Sequence, residues 1–164
     1  MSKAYKTALS GILLALSAAL SAAESFLPLP LGVKPGFSNL PVMLSMSEIG
    51  TFSSFSIVLL KSLFVFLTRG VTAFIMSLCG GILSFAVMLL IFKKTKASFL
   101  FISVIGSLMH NIGQILASCV IMKSFAVVAY LPILLIFGCI AGIATGFAAQ
   151  LTIPIIKPFL RRNK

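Results

Sequence analysis

The stretch SFLFISVIGSLMHNIGQILASCVIM, residues 98–122, decides the fold class of this chain. It contains no Lys, Arg, Asp or Glu, and it exceeds the roughly 20 residues that a helix needs to cross the hydrocarbon core of a bilayer. Three strong hydrogen-bonding side chains, His110, Asn111 and Gln114, lie near its middle. Polar groups at that depth are costly in lipid. The stretch therefore predicts a membrane-spanning helix with a polar cluster that packing or a binding site must explain.

The composition of the whole chain agrees with this prediction. Its 164 residues are 60% hydrophobic and only 9% charged, whereas soluble domains are about half apolar and a quarter charged. A chain of this size has too little interior to hide that much apolar surface from water. A bilayer solves the problem, because lipid solvates the outside of a helix bundle. We therefore expect an all-α integral membrane protein.

Further apolar runs on both sides of residues 98–122 set the number of spans. We expect one membrane domain, residues 1–164, containing a single bundle of about six transmembrane helices. The second and third runs are short and are separated only by a turn. The other predicted spans are residues 7–27, 37–49, 52–67, 71–92 and 127–156.

The charges are unevenly distributed along the chain. There are 13 Lys and Arg residues and two acids, Glu24 and Glu48. The cations lie between the apolar runs, so they indicate membrane topology rather than nucleic-acid binding. Six spans place both termini in the cytoplasm, because that face then holds most of the cations. These are Lys3, Lys6, Lys93, Lys94, Lys96, Lys157, Arg161, Arg162 and Lys164.

The residue types that are missing restrict the chemistry. Without Asp there is no aspartate-rich magnesium motif, and we expect no metal, no cofactor and no catalytic residue. Cys79, Cys119 and Cys139 stand singly in apolar runs, which indicates buried hydrophobic thiols. The sequence has no Walker A motif, so energy for any transport must come from a partner. We therefore expect a binding protein and not an enzyme.

Small residues recur at four-residue spacing on two predicted helices. Gly11, Ala15 and Ala19 share one face of the first span, where a second backbone can approach closely. That face either packs inside the bundle or docks onto another membrane subunit. A second set on the last span is expected to pack internally: Gly138, Gly142 and Gly146.

The polar cluster of residues 110–114 is the strongest candidate for a binding site. His110 and Gln114 are four residues apart and share a helix face, and Asn111 lies three residues from Gln114. Together they offer several donors and acceptors near the membrane midplane. The alternative is structural, since such groups also hydrogen-bond to neighbouring helices.

The segment after the first span, residues 24–39, is a second candidate. Its centre, LPLPLGVKPG, is stiffened by prolines and carries glycines that permit tight turns. Glu24, Lys34 and Asn39 make it either a ligand-contacting lid or an ordinary connector. Because the second span begins near Gly36, its first N–H groups are suited to an anion.

Three cations are placed near the outer ends of the predicted spans. Lys61, Arg69 and Lys123 either snorkel to the interface or converge on an outer mouth that favours an anion. Lys61 and Arg69 are therefore included among the candidate substrate-binding residues.

The order of these elements resembles a known family. Glu24, the PLPLGVKPG segment, Asn39, the stretch SLCGGILS and the stretch MHNIGQ together resemble the Gx transporter family, whose members are often labelled heptaprenyl diphosphate synthase component I. That family is similar to the substrate-binding (S) components of energy-coupling factor transporters, which are six-helix proteins. The resemblance extends from about Lys6 to Leu151.

The resemblance implies roles for the candidate residues. The loop would close over a substrate captured from outside, carrying Glu24, Lys34 and Asn39. The pocket would be formed by His110, Asn111 and Gln114. Gly11, Ala15 and Ala19 would dock onto a transmembrane coupling subunit driven by ATPase subunits. One departure is Lys61, which stands where the family resemblance leads us to expect arginine.

Two hypotheses of different classes follow. The first is a substrate-binding subunit of an uptake transporter for a small, partly apolar molecule, isoprenoid-, quinone- or vitamin-like, with an anionic group as one option. The second is a non-catalytic membrane accessory subunit of a polyprenyl diphosphate or quinone pathway enzyme, or of a flavin-based extracellular electron transfer complex.

Overall fold

A computed structural model describes residues 3–27, 34 and 36–162, the last four of these as backbone only. Five α-helices form in the described residues: α1 (Lys3–Glu24), α2 (Leu40–Glu48), α3 (Thr51–Lys94), α4 (Phe99–Met122) and α5 (Leu131–Arg162). Short 3₁₀ turns precede α2 and α5, at Phe37–Asn39 and Phe125–Tyr130. Four helical stretches are long and apolar enough to cross a membrane. The prediction of an all-α membrane protein is confirmed, whereas the prolines at 28, 30 and 35 lie outside the described residues.

Helix α3 folds back on itself at Gly70, whose positive φ of 81° is readily available only to glycine. The hydroxyl oxygens of Ser62 and Ser77 lie 3.3 Å apart, although a straight helix would separate residues fifteen positions apart by about 22 Å. The rings of Phe66 and Phe74 also meet, with centroids 5.7 Å apart. Helix α3 is therefore a hairpin with two antiparallel arms.

The predicted count of six separate helices is corrected by this hairpin. The runs 52–67 and 71–92 are the two arms of one element, and the described residues contain five helices. The arms pack tightly, because a Cβ on Gly81 would lie 2.9 Å from a methyl carbon of Val58.

The predicted second span, residues 37–49, is not a full span. Helix α2 has nine residues, so it rises about 13.5 Å, less than half of the hydrocarbon thickness of about 30 Å. It begins in the interior of the bundle, where Asn39 bonds to Ser84 halfway along the second arm of α3. The apolar run predicted a crossing because hydropathy does not distinguish a buried half-helix from a short span.

Helices α4 and α5 pack antiparallel through the glycines of α5, as expected. A Cβ on Gly142 would lie 2.6 Å from Val104 Cα, and one on Gly146 would lie 2.7 Å from Leu100 Cα. Helix α5 begins at Leu131 and continues to Arg162 through Pro154 and Pro158. The stretch Phe125–Pro158, which is long and apolar enough to cross a membrane, includes the predicted span 127–156.

The bundle has two distinct ends. Buried side chains from every helix meet near one end, namely Leu13, Met46, Met88, Ile102 and Ile153. The start of α1, the end of α3, the start of α4 and the end of α5 lie there, together with most of the cations. We call this the basic end. The opposite end holds the tip of the α3 hairpin and the last turn of α4, and we call it the cavity end.

Candidate functional site

Gly36 and the 3₁₀ turn Phe37–Asn39, which lead into α2, lie in the interior of the bundle. Gly36 has φ 103°, and a Cβ there would lie 3.4 Å from the hydroxyl of Ser107 in the middle of α4. The amide nitrogen of Asn39 donates to the hydroxyl of Ser84, 3.2 Å away. Irregular backbone at membrane depth is tolerated where protein surrounds it. The sequence predicted a loop over residues 24–39 after the first span, with the second span beginning near Gly36.

Glu24 anchors this segment to the end of α1. Its carboxylate accepts from the backbone N–H of Ser38 at 3.1 Å and from the Ser38 hydroxyl at 3.2 Å. One and two turns earlier on α1, Ser21 and Ser17 face the same interior, and the Ser17 hydroxyl donates to the Ser38 carbonyl at 2.8 Å. The carboxylate of Glu24 therefore engages one of the backbone N–H groups that precede α2.

Lys61 belongs to the same buried network. Its side chain is 1% exposed, and its ammonium group donates to the Ser38 hydroxyl at 3.3 Å and to the Asn39 side-chain oxygen at 3.4 Å. The Ser38 hydroxyl thus stands between the ammonium of Lys61 and the carboxylate of Glu24. Lys61 does not snorkel, and it holds the start of α2 against the first arm of α3.

Lys34 links the segment to α1 and α4 at once. Its ammonium donates to the carbonyl and hydroxyl of Ser21, at 2.5 and 2.7 Å, and its backbone N–H donates to the Gln114 side-chain oxygen at 2.9 Å. Burial, followed by the nearby positive charge of Arg69, lowers the pKa of Lys34 to about 8, although Glu24 acts in the opposite direction. Lys34 is therefore a cation that a further negative charge would stabilise.

The Lys34–Gln114 bond fixes the protonation of His110. Because the Gln114 oxygen faces Lys34, its NH₂ group faces the His110 Nε2 at 2.5 Å. An amide NH₂ can only donate, so Nε2 must accept and the ring proton resides on Nδ1. His110 is consequently neutral and positions Gln114. Its ring packs against Gly80, where a Cβ would lie 3.0 Å from Nδ1.

A cavity of about 170 Å³ opens beside Lys34 at the cavity end of the bundle. Arg69 at the hairpin tip and Gln114 of α4 also line it. Three of the eight predicted substrate-binding residues therefore meet at one cavity. The remaining lining residues come from the second arm of α3: Thr72, Ala73, Met76 and Ser77.

Sequence reasoning missed Thr72, Ala73 and Met76 as lining residues. A signal for them exists, because Thr72, Ala73, Met76 and Ser77 follow one another at intervals that repeat on a single helix face. Arg69 lies three residues before Thr72 in the chain. The apolar character of Ala73 and Met76 concealed the pattern.

The other predicted site residues lie behind the cavity. Glu24, Asn39 and Lys61 form the buried network described above. The side-chain nitrogen of Asn111 donates to the carbonyl of Leu134 at 2.5 Å. The same nitrogen would lie 2.5 Å from a Cβ on Gly138. Asn111 thus joins α4 to α5, which is the structural alternative considered for the polar cluster.

The charges around this region are unbalanced. Glu24 is one of only two acids in the chain, and the other, Glu48, terminates α2 towards the basic end. Against the carboxylate of Glu24 stand three cations: Lys34, Lys61 and Arg69. Lys34 and Lys61 are buried, whereas Arg69 is exposed. The described residues at this end of the bundle therefore carry a net positive charge.

The small-residue face of α1 remains open. Gly11, Ala15 and Ala19 are exposed, and a Cβ on Gly11 would meet no atom within 4 Å. With Leu60 and Phe64 of α3 they line a shallow apolar groove. The face is not used for packing among the described residues.

The cysteines are less buried than expected. Cys79 is exposed on the outer surface of α3, and Cys119 and Cys139 are half-buried, so the prediction of buried thiols was wrong for Cys79. Lipid can cover an exposed thiol as well as protein can. Within the described part of the chain, no three His, Cys, Asp or Glu side chains gather as metal ligands would.

Comparison with known proteins gives one match. Neither a curated protein nor a solved structure matches the chain. The family model described as heptaprenyl diphosphate synthase component I matches residues 13–152, a range that includes the network, the cavity and the hairpin. The chain therefore belongs to the heptaprenyl diphosphate synthase component I family, the Gx transporter family recognised from its motifs.

Proposed function

We propose that this protein is the substrate-binding membrane subunit of an uptake transporter, and that its substrate is a small, partly apolar anion. The observation that carries the proposal is the excess positive charge at the cavity end. Lys34 and Arg69 line one cavity, while the nearest acid, Glu24, is engaged by Ser38. An anion between the two cations would be attracted by a region that holds three cations and one acid.

The site supports binding rather than catalysis. Its one imidazole, His110, is neutral, is committed to Gln114 and stands behind the cavity rather than in its wall. Lys34 is held by hydrogen bonds to Ser21 of α1 and Gln114 of α4, which preorganises the cavity and lowers the cost of binding. This protein would then capture its substrate, and a partner would supply the energy.

The open face of α1 supports a coupling partner. We propose that Gly11, Ala15 and Ala19 dock onto a transmembrane coupling subunit that works with ATPase subunits, as in S components of energy-coupling factor transporters. The side chains on this face are small and the groove beside it is apolar, which suits helix–helix contact inside a membrane.

A co-purification experiment tests the substrate proposal. The protein, its Lys34→Gln/Arg69→Gln double variant and a Lys123→Gln control are purified from the same cells, and small molecules released by each are identified by mass spectrometry. We expect an anionic compound with the wild type and the control, and its loss from the double variant. Equal recovery from all three proteins would exclude the cavity as the binding site.

A separate experiment tests the partner proposal. Ala15→Leu places bulk on the open face without touching the cavity, so it should abolish recovery of coupling and ATPase subunits while the bound anion is retained. Ile140→Phe, on the exposed face of α5, is the matched control. Unchanged recovery of the subunits with Ala15→Leu would contradict docking through α1.

The family description favours a second candidate function. The word "component" fits a non-catalytic accessory subunit of a polyprenyl diphosphate pathway enzyme. That function predicts co-purification with a soluble prenyl synthase in place of ATPase subunits, so the same pull-down separates the two candidates.

A further inference from the structure

The cavity beside Lys34 is too small to hold a whole organic ligand. Its volume of about 170 Å³ corresponds to roughly five or six water molecules, whereas pockets for small organic molecules measure about 300–1,000 Å³. A phosphate- or carboxylate-sized group fits this space. The rest of such a ligand must lie elsewhere.

An apolar groove adjoins the cavity. Thr72 and Met76 line both the cavity and a neighbouring space of about 250 Å³. Ile121 of α4 lines that space and also a third one of about 410 Å³. We call these two spaces together the tail groove, and they run along the outside of the second arm of α3 and α4.

The tail groove faces lipid rather than the interior of the bundle. Val120 is 78% exposed and Leu116 is 58% exposed, and Cys79 forms part of the opposite wall. Gly113 also lines the groove, and α3 and α4 lie close together at this point, because a Cβ on Gly113 would lie 2.8 Å from Gly80 Cα. A slender apolar chain can therefore lie in this groove in contact with the bilayer.

We propose that the ligand is a single-chain amphiphile, whose anionic head lies between Lys34 and Arg69 and whose apolar tail lies in the tail groove. The proposal rests on the proposed function, because it uses the same cationic cavity. The three spaces share lining residues and so lie side by side, with a small cationic space at one end and apolar spaces at the other, which suits a ligand with one anionic head and one apolar tail. Such a ligand enters sideways from the membrane.

Binding of alkyl phosphates to the full-length protein tests this proposal. The protein is placed in nanodiscs of phosphatidylcholine, and its affinities for methyl phosphate and dodecyl phosphate are measured by calorimetry. Partition of each compound into empty nanodiscs is subtracted. We expect dodecyl phosphate to bind at least tenfold more tightly than methyl phosphate.

Two variants that fill the groove from opposite walls show where the tail lies. Cys79→Phe and Val120→Trp should each remove the advantage of the long chain and leave methyl phosphate binding unchanged, which also shows that the variants are folded. Ile140→Phe on the exposed face of α5 should change neither affinity.

Three results would overturn the proposal. The first is equal affinity for the two phosphates, and the second is an advantage of dodecyl phosphate that survives both groove variants. The third is displacement of dodecyl phosphate by an equal concentration of phosphatidylglycerol, which would make the site one for a two-chain membrane lipid. In each of these three cases, methyl phosphate binding that still depends on Lys34 and Arg69 would leave the proposed function intact. If the protein did not bind methyl phosphate at all, both the amphiphile proposal and the proposed function would be refuted.

Discussion

The backbone N–H of Lys34 and the side-chain oxygen of Gln114, eighty residues apart in the chain, form a hydrogen bond of 2.9 Å. This bond joins the segment before α2 to the middle of α4, and it determines which way the Gln114 amide faces. Through that amide it also fixes the neutral state of His110. This one hydrogen bond therefore positions Lys34 at the cavity and sets the protonation state of His110, which lies behind the cavity.

Replacing Gln114 should disturb the cavity more than it disturbs the fold. Gln114→Leu leaves the N–H of Lys34 and the ring of His110 without their partners, at a cost of about 1–3 kcal/mol for a buried unsatisfied group. We expect weaker anion binding, measured by calorimetry, and faster hydrogen exchange at Lys34. Ser118→Ala, one turn along the same face, removes a hydroxyl that donates to the Gln114 carbonyl, and it should preserve both properties.

Neutralising Glu24 should destabilise the protein. Its carboxylate is 2% exposed and accepts two hydrogen bonds from Ser38. Removing one partner of a buried charge network costs about 3–5 kcal/mol, so Glu24→Gln should lower the midpoint of thermal unfolding in detergent. Glu48→Gln is the control, since Glu48 is half-buried at the end of α2. Equal midpoints for the two variants would show that the network does not stabilise the fold.

Adding one methyl group at Gly80 should separate helices that now touch. The new Cβ would lie 2.7 Å from the backbone oxygen of His110 and 2.9 Å from Gln114 Cγ, so α3 or α4 must shift. We expect Gly80→Ala to lower both thermal stability and anion affinity. Gly11→Ala meets no atom within 4 Å and should be neutral or stabilising, by up to about 1 kcal/mol from helix propensity.

Much of the fold could be predicted because it follows from apolar length. The limits 98–122 agree with α4, Phe99–Met122, and the runs 52–67 and 71–92 agree with the arms of α3. The half-helix α2 could not be predicted, since the run 37–49 is apolar whether it faces lipid or protein. The two predicted spans are the arms of one hairpin that turns at Gly70.

The site was predictable by residue type but not by arrangement. Lys34, Arg69 and Gln114 were selected from three separate stretches, and the structure places them around one cavity. Glu24, Asn39 and Lys61 instead belong to the buried network. Which of the predicted residues line the cavity and which belong to the network depends on how the segment before α2 enters the bundle. The hydropathy pattern predicts a surface loop for this polar segment, because hydropathy does not indicate whether neighbouring helices bury it.

Anion binding should weaken as the pH rises above about 8. The pKa of Lys34 is lowered to about 8, first by burial and then by Arg69. Its positive charge is present below that pH and is lost above it, so an anion should bind tightly at pH 7 and weakly at pH 9. A bound anion raises this pKa, which moves the midpoint upward. Titration with sulfate, whose charge is constant in this range, measures the effect, and Lys34→Gln should abolish it.

A pH dependence that persisted in Lys34→Gln would assign the titration to another group. Lys61, Arg69 and Glu24 are the other charged groups that act on Lys34. Lys61→Gln is the informative companion variant, because Lys61 contacts Ser38 and Asn39 and not the cavity wall.

Titration of the purified protein with methyl phosphate at pH 7 tests most directly whether the cavity binds an anion through Lys34 and Arg69. We expect saturable binding to the wild type and to Lys123→Gln. We expect at least tenfold lower affinity for Arg69→Gln, because a hydrogen bond to a charged group contributes about 1.5–3 kcal/mol. Failure of the wild type to bind, or equal affinity for the wild type and Arg69→Gln, would contradict this mode of anion binding.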